Sequence, residues 1–350
     1  MKSKISCFDA GIARNLARRF WPLWAVYFAA MVVAFPLELT SVAIYSYAQA
    51  NARVLECAMQ SARVAIPAGA AMAMAMFSYM YSSRSVGMIC SLPLRRETMY
   101  MTALLCGLVP MLIADVIAVL LGAVVVSGWA YVETYVLAEA LGIIAMETVA
   151  FYGFAVFCGQ LTGNILVLPL VYLLLNVSVY AVELGLRYLL SNFVYGLGSV
   201  SDTVLSLSLI LSPILLVFNG NIQVIWGWNA DYTDKVRVDL GGFPYFYILA
   251  AMGLVCAVLA FFLFRRREME RSGDVVAIRW LRPVFLCLFS LGCALVIGYV
   301  LSMFVSNADY NFPLMLALQL AGAFLGYFAA QMMLQKTARV FASKRAWIGF

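Results

Sequence analysis

Four carboxylates, Asp115, Glu139, Glu147 and Glu183, stand inside long apolar runs of the chain. A charge in that setting costs about 2.5–3.5 kcal/mol on insertion scales, so each needs a reason to be there. One reason is chemistry: a proton or cation relay. The other is structural: each is protonated, or paired with a polar group such as Gln160, Asn164 or Asn176 on a neighbouring helix. The four fall on three predicted helices and no Lys or Arg lies at matching depth, which favours the structural role. The chain has no histidine, so the usual general base and the commonest metal ligand are missing. The phosphate loop GxxxxGKS/T, the elbow GxSxG and the zinc motif HExxH do not occur. Eight cysteines show no CxxC spacing and read as small apolar residues. The expectation is a protein with no catalytic residues, no cofactor and no metal, and not an enzyme.

The elements that hold these residues are membrane helices. Of the 350 residues, 65% are hydrophobic and only 11% charged, and the mean hydropathy is +0.95. A soluble domain carries about twice as many charges. Several apolar runs exceed the roughly 20 residues that cross a bilayer. The fold class is all-α and polytopic, with about eight spans near 20–45, 63–81, 98–127, 132–157, 165–186, 244–264, 283–305 and 312–334. With the N-terminus inside, 18 of the 23 basic residues fall on the cytoplasmic side. Both termini are then cytoplasmic. The net charge of +6 reflects topology and lipid headgroups, with no nucleic-acid partner implied.

Four regions follow. Residues 1–19 form an amphipathic interfacial helix, with Ile5, Phe8, Ile12, Leu16 and Phe20 on one face and Arg14 and Arg18 opposite, followed by Arg19. Residues 20–264 form a six-helix core. Its first span carries a Pro36 kink. A short outer loop, 46–62, leads to an Ala- and Met-rich second span, which reads as buried. A tight inner turn lies at 159–163, where Gly159 and Gly163 form GxxxG, as do Gly322 and Gly326 in the last span. In the outer segment 203–242, residues 203–218 are apolar, too short to span and interrupted by Pro213. They read as a re-entrant helix, with a strand as the rival reading. IQVIWGW and KVRVDL beyond it predict a small outer hairpin, whose Asp231, Asp234 and Asp239 read as a solvated turn before a calcium site. Residues 265–282 are a charged linker, and 283–350 add two helices and a basic tail.

Ser82 to Tyr100, SSRSVGMICSLPLRRETMY, lies between two apolar runs. The residue before a proline is pushed out of the α region, so Leu92-Pro93-Leu94 predicts a corner from which a new helix starts. The stretch reads either as a stiff element on which an outside partner pushes, or as an ordinary basic loop. With the segment around Arg14–Arg19, the turn near Gly159 and LILSPILLVF, it resembles the ABC-2-type permeases, the membrane subunits of ATP-binding-cassette exporters. The resemblance covers about residues 2–264. The two further spans, after RRREMERSGD, depart from the common pattern and point to a subgroup.

The resemblance implies that 82–98 is a coupling loop docking on a separate ATPase subunit, through Arg84, Val86, Gly87, Met88, Ile89, Leu92, Pro93, Leu94, Arg95 and Arg96. It implies that Leu211, Pro213 and Phe218 help close an outer gate. It implies a second permease copy or paralogue, export of a hydrophobic or amphipathic substrate, and the bacterial plasma membrane. Two alternatives stand beside it: an ion- or proton-coupled secondary carrier resting on Asp115, Glu139 and Glu147, and a non-transporting membrane scaffold.

Overall fold

The computed structural model describes residues 8–41, 47–82, 85–87, 95–128, 132–193, 211–219, 223–226, 238–241, 243–267, 281–305 and 312–337. They form ten helices and one two-stranded ribbon: α1 (Ala10–Val32), α2 (Tyr47–Gln60), α3 (Ala62–Met76), α4 (Arg96–Val126), α5 (Thr134–Leu161), α6 (Leu168–Phe193), α7 (Pro213–Asn219), β1 (Gln223–Trp226), β2 (Val238–Gly241), α8 (Pro244–Arg266), α9 (Leu281–Phe304) and α10 (Phe312–Gln335). Six stretches are long and apolar enough to cross a membrane: α1 with its extension to Leu37, α4, α5, α8, α9 and α10. The chain is an all-α, multi-pass membrane protein. The two other predicted spans are shorter here. Residues 63–81 form the 15-residue α3 and a 3-10 turn, Ser78–Tyr81. The apolar stretch of α6 is Leu168–Tyr180.

The chain divides into two compact units, residues 1–160 with 216–270 and residues 161–215 with 271–350. In the first, α1 starts at Asp9, whose carboxylate accepts from the backbone N–H of Ile12 at 2.9 Å and caps the helix. From there α1 runs unbroken through Phe20 and Trp21 into the first span, so residues 10–19 and that span share one axis. Arg14, Arg18 and Arg19 are exposed along it. The helix then passes into a π-helical turn, Val33–Leu37, around Pro36. Proline has no N–H to give the ladder, and the wider turn absorbs that loss.

Within the segment 46–62, expected as a loop, Tyr47–Gln60 is instead the helix α2. Its Ala, Gln, Leu and Glu are helix formers. Arg53 fixes it by ion pairs to Glu38 at 2.9 Å and Glu56 at 3.7 Å. The two strands of the predicted hairpin are present and pair antiparallel, with Gln223 opposite Gly241 and Trp226 opposite Val238, and they lie against α2. Asp231 and Asp234 lie outside the described residues.

The Ala- and Met-rich α3 is buried, as its composition predicts: Ala65, Gly69, Met72, Ala73 and Met76 have almost no exposed surface. A close crossing joins α5 to α8, where Gly153 and Gly253 meet. A Cβ on Gly153 would enter the carbonyl of Gly253, and one on Gly253 would enter the backbone of Ala150. Neither neighbour can yield, since both are backbone. Gly253→Val is expected to cost about 3 kcal/mol or more by overpacking, read as a lost or much earlier unfolding transition in detergent. An unchanged transition would contradict this crossing.

In the second unit α9 and α10 pack as an antiparallel pair. Gly322 and Gly326 face the backbone of Cys293, Ala294 and Ser290, so that GxxxG is a packing face. The turn predicted at 159–163 begins later. Gly159 is still in α5, and the chain turns from Thr162, whose hydroxyl accepts from Asn164 N–H at 3.2 Å.

Candidate functional site

Two polar centres are built into the first unit. One lies between helices in the membrane core, the other at the end from which 82–95 emerges.

The core centre gathers side chains from four elements. Asp115 on α4 is fully buried. It accepts from the hydroxyl of Tyr27 on α1 at 2.6 Å and from the hydroxyl of Thr148 on α5 at 2.8 Å. The two hydroxyls are 3.1 Å apart, which closes a triangle. Glu147, next to Thr148 and also fully buried, accepts at Oε2 from Ser61 at the α2–α3 junction, at 2.9 Å. Its Oε1 has no hydrogen-bond partner among the described residues. Buried polar atoms are nearly always satisfied, so this oxygen marks the centre as a candidate functional position.

Two of the four scattered carboxylates are therefore brought together. Their partners are hydroxyls, where amides were expected. The buried Gln160 leaves both amide atoms without a hydrogen bond among the described residues, Asn164 caps its own turn at Leu166 N–H, and Asn176 donates to Tyr172 O one turn back. Glu183 does have a base at its depth, because Arg187 Nε donates to it at 2.8 Å from the next turn of α6. Glu139 is half-buried, two turns before Glu147 on α5.

The end centre is organised by Arg267, only 5% exposed just beyond α8. Its Nη1 donates to the carbonyls of Gly159 at 3.1 Å and Gln160 at 3.3 Å. Those carbonyls end α5 and have no partner within it, so a buried cation is well placed there. The guanidinium sits 6.0 Å from the centre of the Tyr81 ring, and the Tyr81 hydroxyl also donates to Gly159 O at 3.1 Å. Burial lowers the Arg267 pKa, partly offset by Tyr81 and Tyr79. An arginine keeps its proton under such a shift. Arg96, opening α4, donates to the carbonyls of Arg267 at 3.3 Å and Arg265 at 3.4 Å. Asp9 N–H donates to Thr102 Oγ1 at 3.1 Å, tying the start of α1 to α4. One clasp thus joins the ends of α3, α4, α5 and α8, and α1 is fastened to it through α4.

The predicted coupling residues meet this clasp at both ends. Tyr81 precedes the loop, and Arg96, inside the predicted bounds 82–98, already opens α4, so the loop itself ends at Arg95. Residues 85–87 are helical, with Val86 N–H donating to Ser82 O at 2.9 Å. Gly87, Arg95 and Arg96 are exposed and Val86 is half-buried. Arg84, Met88, Ile89, Leu92, Pro93 and Leu94 lie outside the described residues, as do 203–210 of the re-entrant segment and 268–280 of the linker. Of the gate residues, Leu211 is exposed and Pro213 is buried at the start of α7. For Phe218 the backbone alone is described.

Sequence reasoning missed Tyr27, Ser61, Thr148 and Arg267. The first three are ordinary hydroxyl residues, and only the Glu147–Thr148 adjacency hinted at them. Arg267 was hidden in the run 265–267, where three arginines read alike as charges facing headgroups.

The fold and these centres define a multi-pass helical membrane protein with an ordered clasp at one end and a buried acidic pair in its core. No protein-family model, curated protein or solved structure matches the chain.

Proposed function

We propose that this protein is the membrane subunit of an ABC-type exporter of the bacterial plasma membrane, moving a hydrophobic or amphipathic substrate with energy from a separate ATPase chain. One observation carries the reading. The loop 82–95 runs between Tyr81 and Arg96, and both side chains are held in the clasp around Arg267. A push on that loop passes into four helix ends together, where a loop on loose ends would absorb it. The permease-like pattern of SLPLRRE supports the same role. A second copy or paralogue completes the pathway. Gentle purification from the native membrane tests the reading: an ATP-hydrolysing subunit is expected to accompany the chain, and to be lost when 85–94 is replaced by a Gly-Ser linker of equal length. A chain that purifies without ATPase activity under all conditions would count against it.

The orientation in this proposal places both termini and 265–282 in the cytoplasm and 219–242 outside. In a background lacking the native cysteines, Asp231→Cys is expected to react with an impermeant thiol reagent in intact cells, and Lys344→Cys is not. The reverse pattern would overturn the orientation.

The buried Asp115–Glu147 centre favours a second reading, an ion- or proton-coupled carrier. The two readings part on neutral substitutions. In the exporter Asp115→Asn, Glu139→Gln and Glu147→Gln each keep transport within a few-fold, because the amides retain shape and hydrogen bonding. A loss beyond about tenfold in any one, at normal membrane levels, would mark an essential step and favour the carrier.

A further inference from the structure

We propose that the groove between α4 and α8 at the clasp end binds one anionic phospholipid, with an acyl chain between the helices and the phosphate against Arg95. The inference rests on the membrane-spanning fold and is independent of the exporter reading.

The groove has a volume of about 640 Å³. That is within the roughly 300–1,000 Å³ typical of sites for small ligands. Tyr100, Met101, Leu104, Leu254, Val258 and Phe261 line its body, which is almost wholly apolar. Packing elsewhere keeps it open. The Gly153–Gly253 crossing draws α8 onto α5, and the Tyr100 hydroxyl, donating to Ala257 O at 2.6 Å, pins α4 to α8 behind the groove. Leu254 and Val258 are each 56% exposed on the open side, inside the predicted bilayer. An acyl chain fits such a slot, because it needs no hydrogen bonds and is already the surrounding solvent.

Charge at the mouth selects the headgroup. Arg95 and Glu97 line the mouth, and Arg265 reaches Glu97 there. Glu97 is spent on Arg265 at 3.4 Å, and the Arg265 guanidinium also leans over the Phe261 ring at 5.9 Å. Arg96 donates to backbone carbonyls. Arg95 lines the groove, is exposed, and meets no carboxylate among the described residues. A cation left open beside an apolar slot at the membrane interface fits a lipid phosphate. A zwitterionic headgroup brings its own cation to the same arginines and gains less.

The probe is native mass spectrometry of the protein released from nanodiscs of equal parts phosphatidylglycerol and phosphatidylcholine. The wild type is expected to retain one phosphatidylglycerol in preference to phosphatidylcholine. Arg95→Glu reverses one charge and is expected to lower that retention about tenfold or more. Val258→Trp and Leu254→Trp fill the slot from its exposed side and are expected to lower it similarly without changing the unfolding temperature. Arg63→Glu makes the same charge change at an exposed position outside the groove and is expected to leave it intact. Equal retention of the two lipids would overturn the proposal, as would Arg63→Glu acting like Arg95→Glu, or both tryptophan variants keeping the lipid. A dimer that the tryptophan variants break would also overturn it, by assigning the groove to a second copy of the chain.

Discussion

Arg267→Met is expected to destabilise the purified protein by about 2–4 kcal/mol, while Arg267→Lys costs less and Tyr81→Phe about 1 kcal/mol. Arg267 supplies two charge-assisted hydrogen bonds to the carbonyls ending α5, and such bonds contribute about 1.5–3 kcal/mol each. Taking a guanidinium out of water opposes that gain, and methionine recovers some apolar packing. The two bonds together give about 3–6 kcal/mol, and these opposing effects bring the expected loss down to about 2–4 kcal/mol. Gly159 O keeps the Tyr81 hydroxyl, but Gln160 O loses its cation. Lysine keeps a charge but replaces the planar guanidinium, whose Nη1 donates to both carbonyls, with an ammonium on a flexible stem. Tyr81→Phe removes one neutral bond and keeps the ring beneath the guanidinium. Thermal unfolding in detergent gives the order wild type, Tyr81→Phe, Arg267→Lys, Arg267→Met. An Arg267→Met protein as stable as wild type would mean that the helix ends are not held by this residue.

Much of the fold was legible because bilayer solvation writes itself into composition. The runs that became α4, α5, α8, α9 and α10 lie within a few residues of their predicted bounds. The burial of α3 followed from its alanines and methionines, and the two-stranded ribbon from the short runs IQVIWGW and KVRVDL. The helix α2 was not legible, because an amphipathic segment of low hydropathy reads equally as a polar loop. The ion pair from Arg53 to Glu38, which fastens it to the end of the first span, is a tertiary contact that the run of residues does not announce. The carboxylates illustrate a different limit. Asp115 and Glu147 are on separate helices, and whether they share a depth and face depends on helix rotation, to which smoothly apolar sequences give no clue. Tyr27 and Ser61 entered the centre for the same reason. Arg267 was visible as a charge but not as a buried one. Only the arrival of α5 beneath α8 makes it a link between helices.

The central claim is that the loop 82–95 takes force from an ATPase and delivers it through the clasp. Leu92 tests this most directly. It lies outside the described residues, and its role is argued from the apolar residues around Pro93. In docked surfaces a buried apolar anchor carries most of the affinity, while exposed charges at the rim mainly tune association. Leu92→Asp places a charge at that anchor and leaves the clasp untouched. The measurement is ATP hydrolysis and ATP-driven transport, both in proteoliposomes that hold the complete complex, for wild type, Leu92→Asp and Arg95→Ala. The account predicts that Leu92→Asp releases the ATPase, or leaves it hydrolysing ATP without transport, at a normal level of folded membrane protein, and that Arg95→Ala stays close to wild type. A Leu92→Asp complex that keeps its ATPase and transports at the wild-type rate would contradict it.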